Sequence, residues 1–317
     1  MTQTPQKIPR NIVNGWINLD KPLEMTSTQA VGKIKRILNV KKVGHAGTLD
    51  PMATGILPIA IGEATKTVQF IQDREKGYSF TIMWGEAKDT DDGEGETIAS
   101  SDVRPSEDAI IAALPAFIGE IDQIPPKFSA IKIKGARAYD LAREGVEFEM
   151  KSRKVNVYDL TLVHCDDKTA TLSMRCGKGT YVRSLARDLA LELGTYGYVS
   201  MLRRTFVGGF HENDAISFDK LAEIVDNSGA QEATLGLETA LDDIPALPLS
   251  DQEASRLRNG QKIIFSARPD MERLNAHGIN PLTAKDMIVL AVNDNGKPLG
   301  ITRMNGVSMK PERLFNL

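Results

Sequence analysis

The sequence predicts an α+β fold around a mixed, largely antiparallel sheet, with a small β-rich piece at the C-terminal end. Strand-like and helix-like segments follow one another without regular strand–helix–strand alternation, which argues against a doubly wound parallel sheet. Tyr78-Ser79-Phe80-Thr81-Ile82-Met83-Trp84 alternates large apolar side chains with smaller ones, as a half-buried strand requires. The Pro-containing stretch Ile244-Pro245-Ala246-Leu247-Pro248 reads as a boundary between two units.

In chain order, the polar, Pro-containing residues 1–10 read as a frayed tail, and a large domain is expected over 11–245. Ser27 or Thr28 is suited to cap a helix whose apolar positions Val31, Ile34, Ile37 and Leu38 fall at helical spacing, with lysines on its other face. Further strands are predicted at 129–134, 154–163 and 169–176. A helix follows at about 181–193, where Val182, Leu185, Ala186, Leu189 and Leu193 make one apolar stripe. The second unit, 246–317, holds a short helix ending near Asn259-Gly260. A hairpin over 287–293 and 297–303 then turns at Asp294-Asn295-Gly296.

Composition bounds the function. The chain has 317 residues, 41% hydrophobic and 26% charged, which suits a globular protein of one large and one smaller domain. It contains no apolar run of membrane-spanning length and no apolar core of a secretory signal near Met1, so a cytoplasmic protein is expected. Cys165 and Cys176 are expected as buried, reduced thiols. His45, His164, His211 and His277 are too scattered to hold a catalytic metal, so none is expected. The net charge of −3 hides strong segregation. Residues 31–42 carry Lys33, Lys35, Arg36, Lys41 and Lys42 with no acid, and 127–137 carry Lys127, Lys132, Lys134 and Arg137 with no acid. Residues 212–243 hold nine carboxylates against Lys220 alone. Because screening confines charges to about 8 Å, a basic face can hold a phosphate backbone despite acids elsewhere.

The segment Gly44-His45-Ala46-Gly47-Thr48-Leu49-Asp50-Pro51-Met52-Ala53-Thr54-Gly55 packs glycines and a proline around one carboxylate. An Asp-Pro pair alone is most often a turn in which the aspartate caps the backbone. A loop this rich in glycine also lets the backbone approach a ligand, and a carboxylate fixed there can serve as nucleophile or base. Gly177-Lys178-Gly179-Thr180 lacks the spacing of a phosphate loop, so no nucleotide cofactor is expected. Two-carboxylate glycoside chemistry needs a second facing acid, and the acidic cluster over 89–96 reads instead as a solvated loop.

Five segments in order, GWINLDKPLEMTS at 15–27, GHAGTLDPMATGILPIAIGEATK from Gly44, PPKFSAIKIKGARAYDLAREG at 125–145, CGKGTYVRSLARDLALELG at 176–194 and Leu202-Arg203-Arg204-Thr205, resemble the TruB family of tRNA pseudouridine-55 synthases. The resemblance implies a pseudouridine synthase sheet with an RNA-closing insertion at about 124–152 and a PUA-like C-terminal RNA-binding domain. It implies isomerisation of uridine 55 in the tRNA T-loop. Asp50 would be the catalytic carboxylate and Arg183 its partner. Tyr78 would stack on the flipped base and is a candidate carrier of the C5 proton. Tyr181 and Leu202 would line the uridine pocket, and His45 would contact rearranged loop nucleotides. Lys21, Lys66, Lys132, Lys134 and Arg137 would hold phosphates. The family pattern also places an aspartate near Asp92. The implied partner is the tRNA T-stem-loop, with no membrane, no cofactor and no guide RNA, and a monomer is expected. The competing reading is a non-catalytic tRNA-binding or RNA-remodelling factor on the same fold; the joint presence of Asp50, Tyr78, Tyr181 and Arg183 argues against it.

Overall fold

The computed structural model describes residues 9–133 and 135–317. From the N-terminal side come β1 (Gly15–Lys21), α1 (Ser27–Ile37), β2 (Val43–His45), β3 (Ala53–Ile61), α2 (Val68–Gln72) and β4 (Lys76–Trp84). A small hairpin, β5 (Glu86–Lys88) and β6 (Thr97–Ser100), precedes α3 (Glu107–Ala113) and β7 (Gly119–Gln123). A second hairpin, β8 (Lys132–Ile133) and β9 (Ala136–Arg137), leads to α4 (Ala138–Arg143). Then come β10 (Arg153–Cys165), β11 (Thr169–Cys176), α5 (Val182–Glu192), β12 (Gly197–Val207), β13 (Phe210–His211) and α6 (Phe218–Ser228).

Nine strands form one sheet whose main path runs β1-β3-β12-β4-β11-β10-β7, with β2 beside β3 and β13 beside β12. The β12–β3 pair is parallel and the others antiparallel, so the sheet is mixed and largely antiparallel. In β4 the side chains from Tyr78 to Trp84 alternate buried and half-buried, as their sizes predict. Strand β3 differs: Ala53 and every residue from Gly55 to Ile61 are buried, so its apolar run shows no alternation. The stripe on α5 packs inward as its spacing requires, with Val182, Leu185, Ala186 and Leu189 buried.

Several local expectations change. Thr26, not Ser27 or Thr28, caps α1, sharing a capping box with Gln29. Ser27 turns inward instead: its hydroxyl donates to the Leu49 carbonyl at 3.1 Å and accepts the Leu49 N–H at 2.9 Å. The strand expected over 129–134 shrinks to two residues, because Gly135, at φ +98°, turns the exposed chain straight back. Cys176 is buried and Cys165 half-buried; both are free thiols. No helix among the described residues is long and apolar enough to cross a membrane.

The stretch read as a boundary is itself a strand, β14 (Ala246–Pro248), running parallel to β16 (Met287–Val292). Around it lie α7 (Asp251–Arg258), β15 (Ile263–Ile264), α8 (Arg268–Ala276), β17 (Pro298–Asn305) and β18 (Ser308–Leu314), in a sheet ordered β14-β16-β17-β18-β15. At the predicted hairpin turn the Asn293 side chain accepts the N–H of Asn295 and of Lys297, and Gly296 takes φ +76°. This sheet is no loose appendage. Trp16, Ile56, Ala60 and Phe210 share one apolar cluster with Leu290, Val292, Ile301 and Phe315. Burying a large apolar side chain contributes about 1.5–3 kcal/mol, so this contact is a strong tie.

Lys66 reinforces the tie rather than waiting for phosphate: its Nζ lies 2.5 Å from Glu63 Oε2 and donates to the Leu314 carbonyl at 2.6 Å. The Asn316 N–H donates to the same Glu63 oxygen at 2.8 Å. The expectation is that Lys66 binds backbone phosphate; here its charge is shared with Glu63 and the C-terminal sheet.

Where β3 meets β12, Gly55 sits at φ +97°, and a Cβ there would lie 2.2 Å from the Arg204 carbonyl oxygen. Gly55→Ala should therefore cost on the order of 2 kcal/mol or more, since it adds a left-handed penalty to a clash with backbone. A urea midpoint unchanged from the parent would refute this close approach.

Candidate active site

Strands β3, β12 and β4 bring the predicted residues to one place. The loop ending in Asp50 runs into β3, Leu202 pairs with Ala53, and Arg204 pairs with Gly55 on one side and Tyr78 on the other. Register shifts flank this part of β12, between Val199 and Met201 and between Arg204 and Phe206, as bulges often do beside sites.

The aspartate loop is fixed by everything except its aspartate. Ser27 holds both backbone groups of Leu49. Arg204, 1% exposed, donates from Nε to the Ile56 carbonyl at 2.7 Å and from Nη2 to the Gly47 carbonyl at 3.1 Å. Lys21 is fully buried, its Nζ donating to the carbonyls of Met25 at 2.7 Å, Pro22 at 2.9 Å and Pro51 at 3.4 Å. The expectation that Lys21 binds phosphate is therefore corrected: its three donors are spent on carbonyls, and burial pulls its pKa down to about 8. Among the described residues no backbone N–H donates to the Asp50 carboxylate, so the turn-capping reading of Asp50 fails.

The carboxylate instead faces Arg183, whose Nε lies 3.0 Å from Asp50 Oδ2. That Nε–H is not aligned as a hydrogen bond, so the contact is one of charge. The rest of the guanidinium is pinned. Its Nη1 donates to the Thr90 carbonyl at 2.8 Å and lies 3.0 Å from Asp92 Oδ2, and its Nη2 donates to the Phe128 carbonyl at 3.0 Å. Arg183 and Asp92 are buried, whereas the Asp50 side chain keeps 32% of its surface exposed. The site thus presents one open carboxylate over a buried arginine. Burial raises the Asp50 pKa; Arg183 opposes this, Asp92 adds to it, and Lys21 opposes it.

Tyr78 lies beneath, buried, in contact with the core that contains Leu49 and Leu202. Burial holds its phenol protonated, with the pKa pushed up to about 12; Arg204 opposes the shift and Asp50 adds to it. Tyr181 precedes α5, and the Gln123 side chain accepts its N–H at 2.8 Å and donates to its carbonyl at 3.1 Å, a cap supplied from β7. Arg153 lies over the Tyr181 ring at 4.9 Å. Leu202 is 5% exposed. His45 is half-buried on β2; burial and then Arg204 lower its pKa, and its buried Nδ1 has no partner among the described residues. Lys132 and Arg137 face each other across the exposed β8–β9 hairpin. Lys134 lies outside the described residues.

Sequence reasoning missed Asp92 as a buried partner of Arg183, reading 89–96 as solvated. Composition gave no signal for it, since two aspartates before Gly93 and Gly95 read as a solvated turn; only the family pattern, which places an aspartate near Asp92, marked the position. It also missed Ser27 and gave no role to Arg204. Among the described residues no group of acids, histidines and cysteines is arranged to hold a metal.

Against known proteins, a model of the TruB family pseudouridylate synthase N-terminal domain matches residues 35–182, and one of the tRNA pseudouridylate synthase B C-terminal domain matches 183–244. The chain is similar to the tRNA pseudouridine synthase B of Caulobacter vibrioides, at 53% identity over 96% of this chain and 97% of that protein. It is 48% identical to that of Bradyrhizobium diazoefficiens over 97% of this chain and 87% of the relative. For that of Rhizobium meliloti the identity is 44%, over 98% of each. Among solved structures, a chain of a Cbf5–Nop10–Gar1 complex superposes with a TM-score of 0.72 at 25% identity, covering 95% of this chain and 85% of that one. A chain of an archaeal box H/ACA Nop10–Cbf5 complex gives 0.69 at 24% identity, covering 95% and 86%, a likeness of fold.

A carboxyl titration of Asp50 by carbon NMR should give a midpoint above the ordinary aspartate value of 3.8. Asp92→Asn should lower that midpoint by removing a like charge, and Arg183→Met should raise it by removing the opposite one. Midpoints that ignore both substitutions would refute the charge triad.

Proposed function

The chain belongs to the TruB family of pseudouridylate synthases and isomerises uridine in tRNA to pseudouridine, and we propose that it does so at uridine 55 of the T-loop with Asp50 as the catalytic carboxylate. The observation that carries this is the open Asp50 carboxylate, which no backbone N–H among the described residues reaches, held against the buried Arg183 whose Nη groups are anchored on two carbonyls. The reaction breaks the N1–C1′ bond, turns the uracil and forms a C5–C1′ bond. One proton leaves C5 and one is gained at N1, so no oxidant, nucleotide or metal is required. Asp50 either attacks C1′ or takes a proton from the sugar, and either role needs an ionised carboxylate aimed by a fixed partner.

A base paired or stacked inside the tRNA elbow must be flipped out before Asp50 can reach its sugar. Tyr78, Tyr181 and Leu202 supply the aromatic and apolar walls for it, and stacking on an aromatic ring contributes about 1–3 kcal/mol per base. The elevated pKa of Tyr78 favours a stacking role over proton abstraction, because a phenol protonated at neutral pH is a poor base. His45, held neutral by burial, serves as a hydrogen-bonding contact to loop nucleotides. Lys132, Lys134 and Arg137 serve the phosphates, and the PUA-like sheet gives a second RNA contact. The enzyme acts as a monomer in the cytoplasm without a guide RNA, in keeping with the stand-alone bacterial type that the 127–145 segment resembles.

Asp50→Asn should lower the single-turnover rate by at least about a hundredfold while leaving tRNA affinity nearly unchanged. The readout is tritium release from uracil C5 of unmodified tRNA. A variant that keeps a substantial rate would overturn the assignment.

Neutralising Lys132, Lys134 and Arg137 together should weaken tRNA binding and flatten its salt dependence by about 0.7–0.9 in log–log slope per lost phosphate contact. An unchanged slope would move the docking surface to the α1 face bearing Lys33, Lys35 and Arg36.

A further inference from the structure

One helical turn after Arg183, on the same side of α5, Arg187 repeats its neighbour's grip on two other segments. Its Nη1 lies 2.8 Å from Asp91 Oδ2, and its Nη2 donates to the Ile124 carbonyl at 2.9 Å. Its Nε lies 2.9 Å from Asp188 Oδ1. Ser184 donates to the same Ile124 carbonyl at 2.8 Å. Two arginines four residues apart therefore each bridge the 90–92 turn to the 124–128 segment, which is the root of the insertion carrying the β8–β9 hairpin. Arg183 takes Thr90, Asp92 and Phe128; Arg187 takes Asp91 and Ile124.

The 90–92 turn needs such a clasp. Asp91 sits at φ +61°, a left-handed conformation that costs a non-glycine residue on the order of 1 kcal/mol or more and persists only when surroundings hold it. The turn's backbone is tied to β12, with Val199 donating to the Asp91 carbonyl and Gly93 to the Val199 carbonyl, both at 3.1 Å. The Asp91 side chain is only 13% exposed, and burial lifts its pKa to about 6 against the pull of Arg187 and then Arg183. Asp92, next in the chain, is the residue that sits on Arg183.

We propose that Arg187 is a positioning residue of the isomerisation: it locks Asp91, and so Asp92 and the Arg183–Asp50 pair, to the root of the RNA-closing insertion. The inference rests on Asp50 being the catalytic carboxylate. A planar fork suits this task, since a lysine presents a point charge that does not span an acid and a carbonyl in the same way.

The test uses the full chain and unmodified tRNA tritiated at uracil C5. Arg187→Gln should lower the single-turnover rate at saturating tRNA roughly ten- to a hundredfold, with tRNA affinity within about threefold. Arg187→Lys should recover only part of that loss. Asp91→Asn should fall by a similar factor, and the double variant should be no slower than the slower single, because both remove one clasp. The Asp50 carboxyl midpoint should rise in Arg187→Gln as Arg183 loosens, a change that loss of global stability would not produce. Rates within twofold of the parent, multiplicative losses in the double variant, or an unmoved Asp50 midpoint would each overturn the proposal. Should Arg187→Gln fail to fold, Asp91→Asn carries the same rate and midpoint readings. If Asp50→Asn also retains turnover, the assignment of Asp50 falls; if Asp50→Asn is inactive while the Arg187 variants are not, only the clasp falls.

Discussion

The site depends on one buried guanidinium. Arg183 donates to two backbone carbonyls, pairs in charge with Asp92, and turns its Nε toward Asp50. An arginine anchored this way cannot follow its partner out into water, so the carboxylate has a fixed counter-charge while its outer face stays open. Removing one partner from a fully buried pair, such as Arg183 and Asp92, is costly, on the order of 3–5 kcal/mol, because the other is left uncompensated. The arrangement therefore fixes geometry more than it adds net stability. Each anchor lies on a different segment, so α5, the 90–92 turn and the start of the insertion must all be in place together.

The same economy governs the other cations near the cleft. Lys21, Lys66 and Arg204 are spent on backbone carbonyls or on an adjacent acid. Arg204 and Lys21, together with Ser27, do for the aspartate loop what an Asx turn would otherwise require of Asp50. Had Asp50 capped its own loop, some of its lone pairs would be engaged and its charge stabilised by backbone N–H groups. Leaving this carboxylate without a backbone partner among the described residues goes with three other side chains buried around its loop.

Much of this was legible in the chain. The alternation over 78–84 and the stripe on α5 are periodic signals that any half-buried element must carry, and both elements lie where the periods predict. Asp50 stood out through the glycines around it, and Arg183 through the motif it sits in. Strand β3 was not legible, because with both faces covered it has no alternation to detect. Asp92 was not legible either: Asp91-Asp92-Gly93-Glu94-Gly95 has the composition of a solvated turn, and only a contact with Arg183, distant in sequence, buries it. Lys21 was misread because a lysine that ends on carbonyls looks in sequence like one that ends in water. Burial of a charge is decided by partners that come from elsewhere in the chain.

The charge balance of the cleft bears on what can enter it. Around Asp50 stand Asp92 and the exposed Glu94, whose pKa is raised first by burial and then by those two aspartates, against Arg183 and Lys21. Three carboxylates face two cations, and both cations are already engaged. Such a pocket gives a phosphate little to bind, whereas a neutral uracil ring loses little by entering it. Exposed cations with no acidic partner among the described residues lie outside, at Lys127, Lys132 and Arg137 and on the α1 face at Lys35 and Arg36. On the proposed reading, phosphate contacts and base contacts would fall on separate surfaces, as recognition of a flipped base requires: the backbone at the rim, and the base drawn to the carboxylate by stacking rather than by charge. The insertion root joins the two surfaces, because the residues that carry the rim hairpin also supply the carbonyls that hold Arg183 and Arg187.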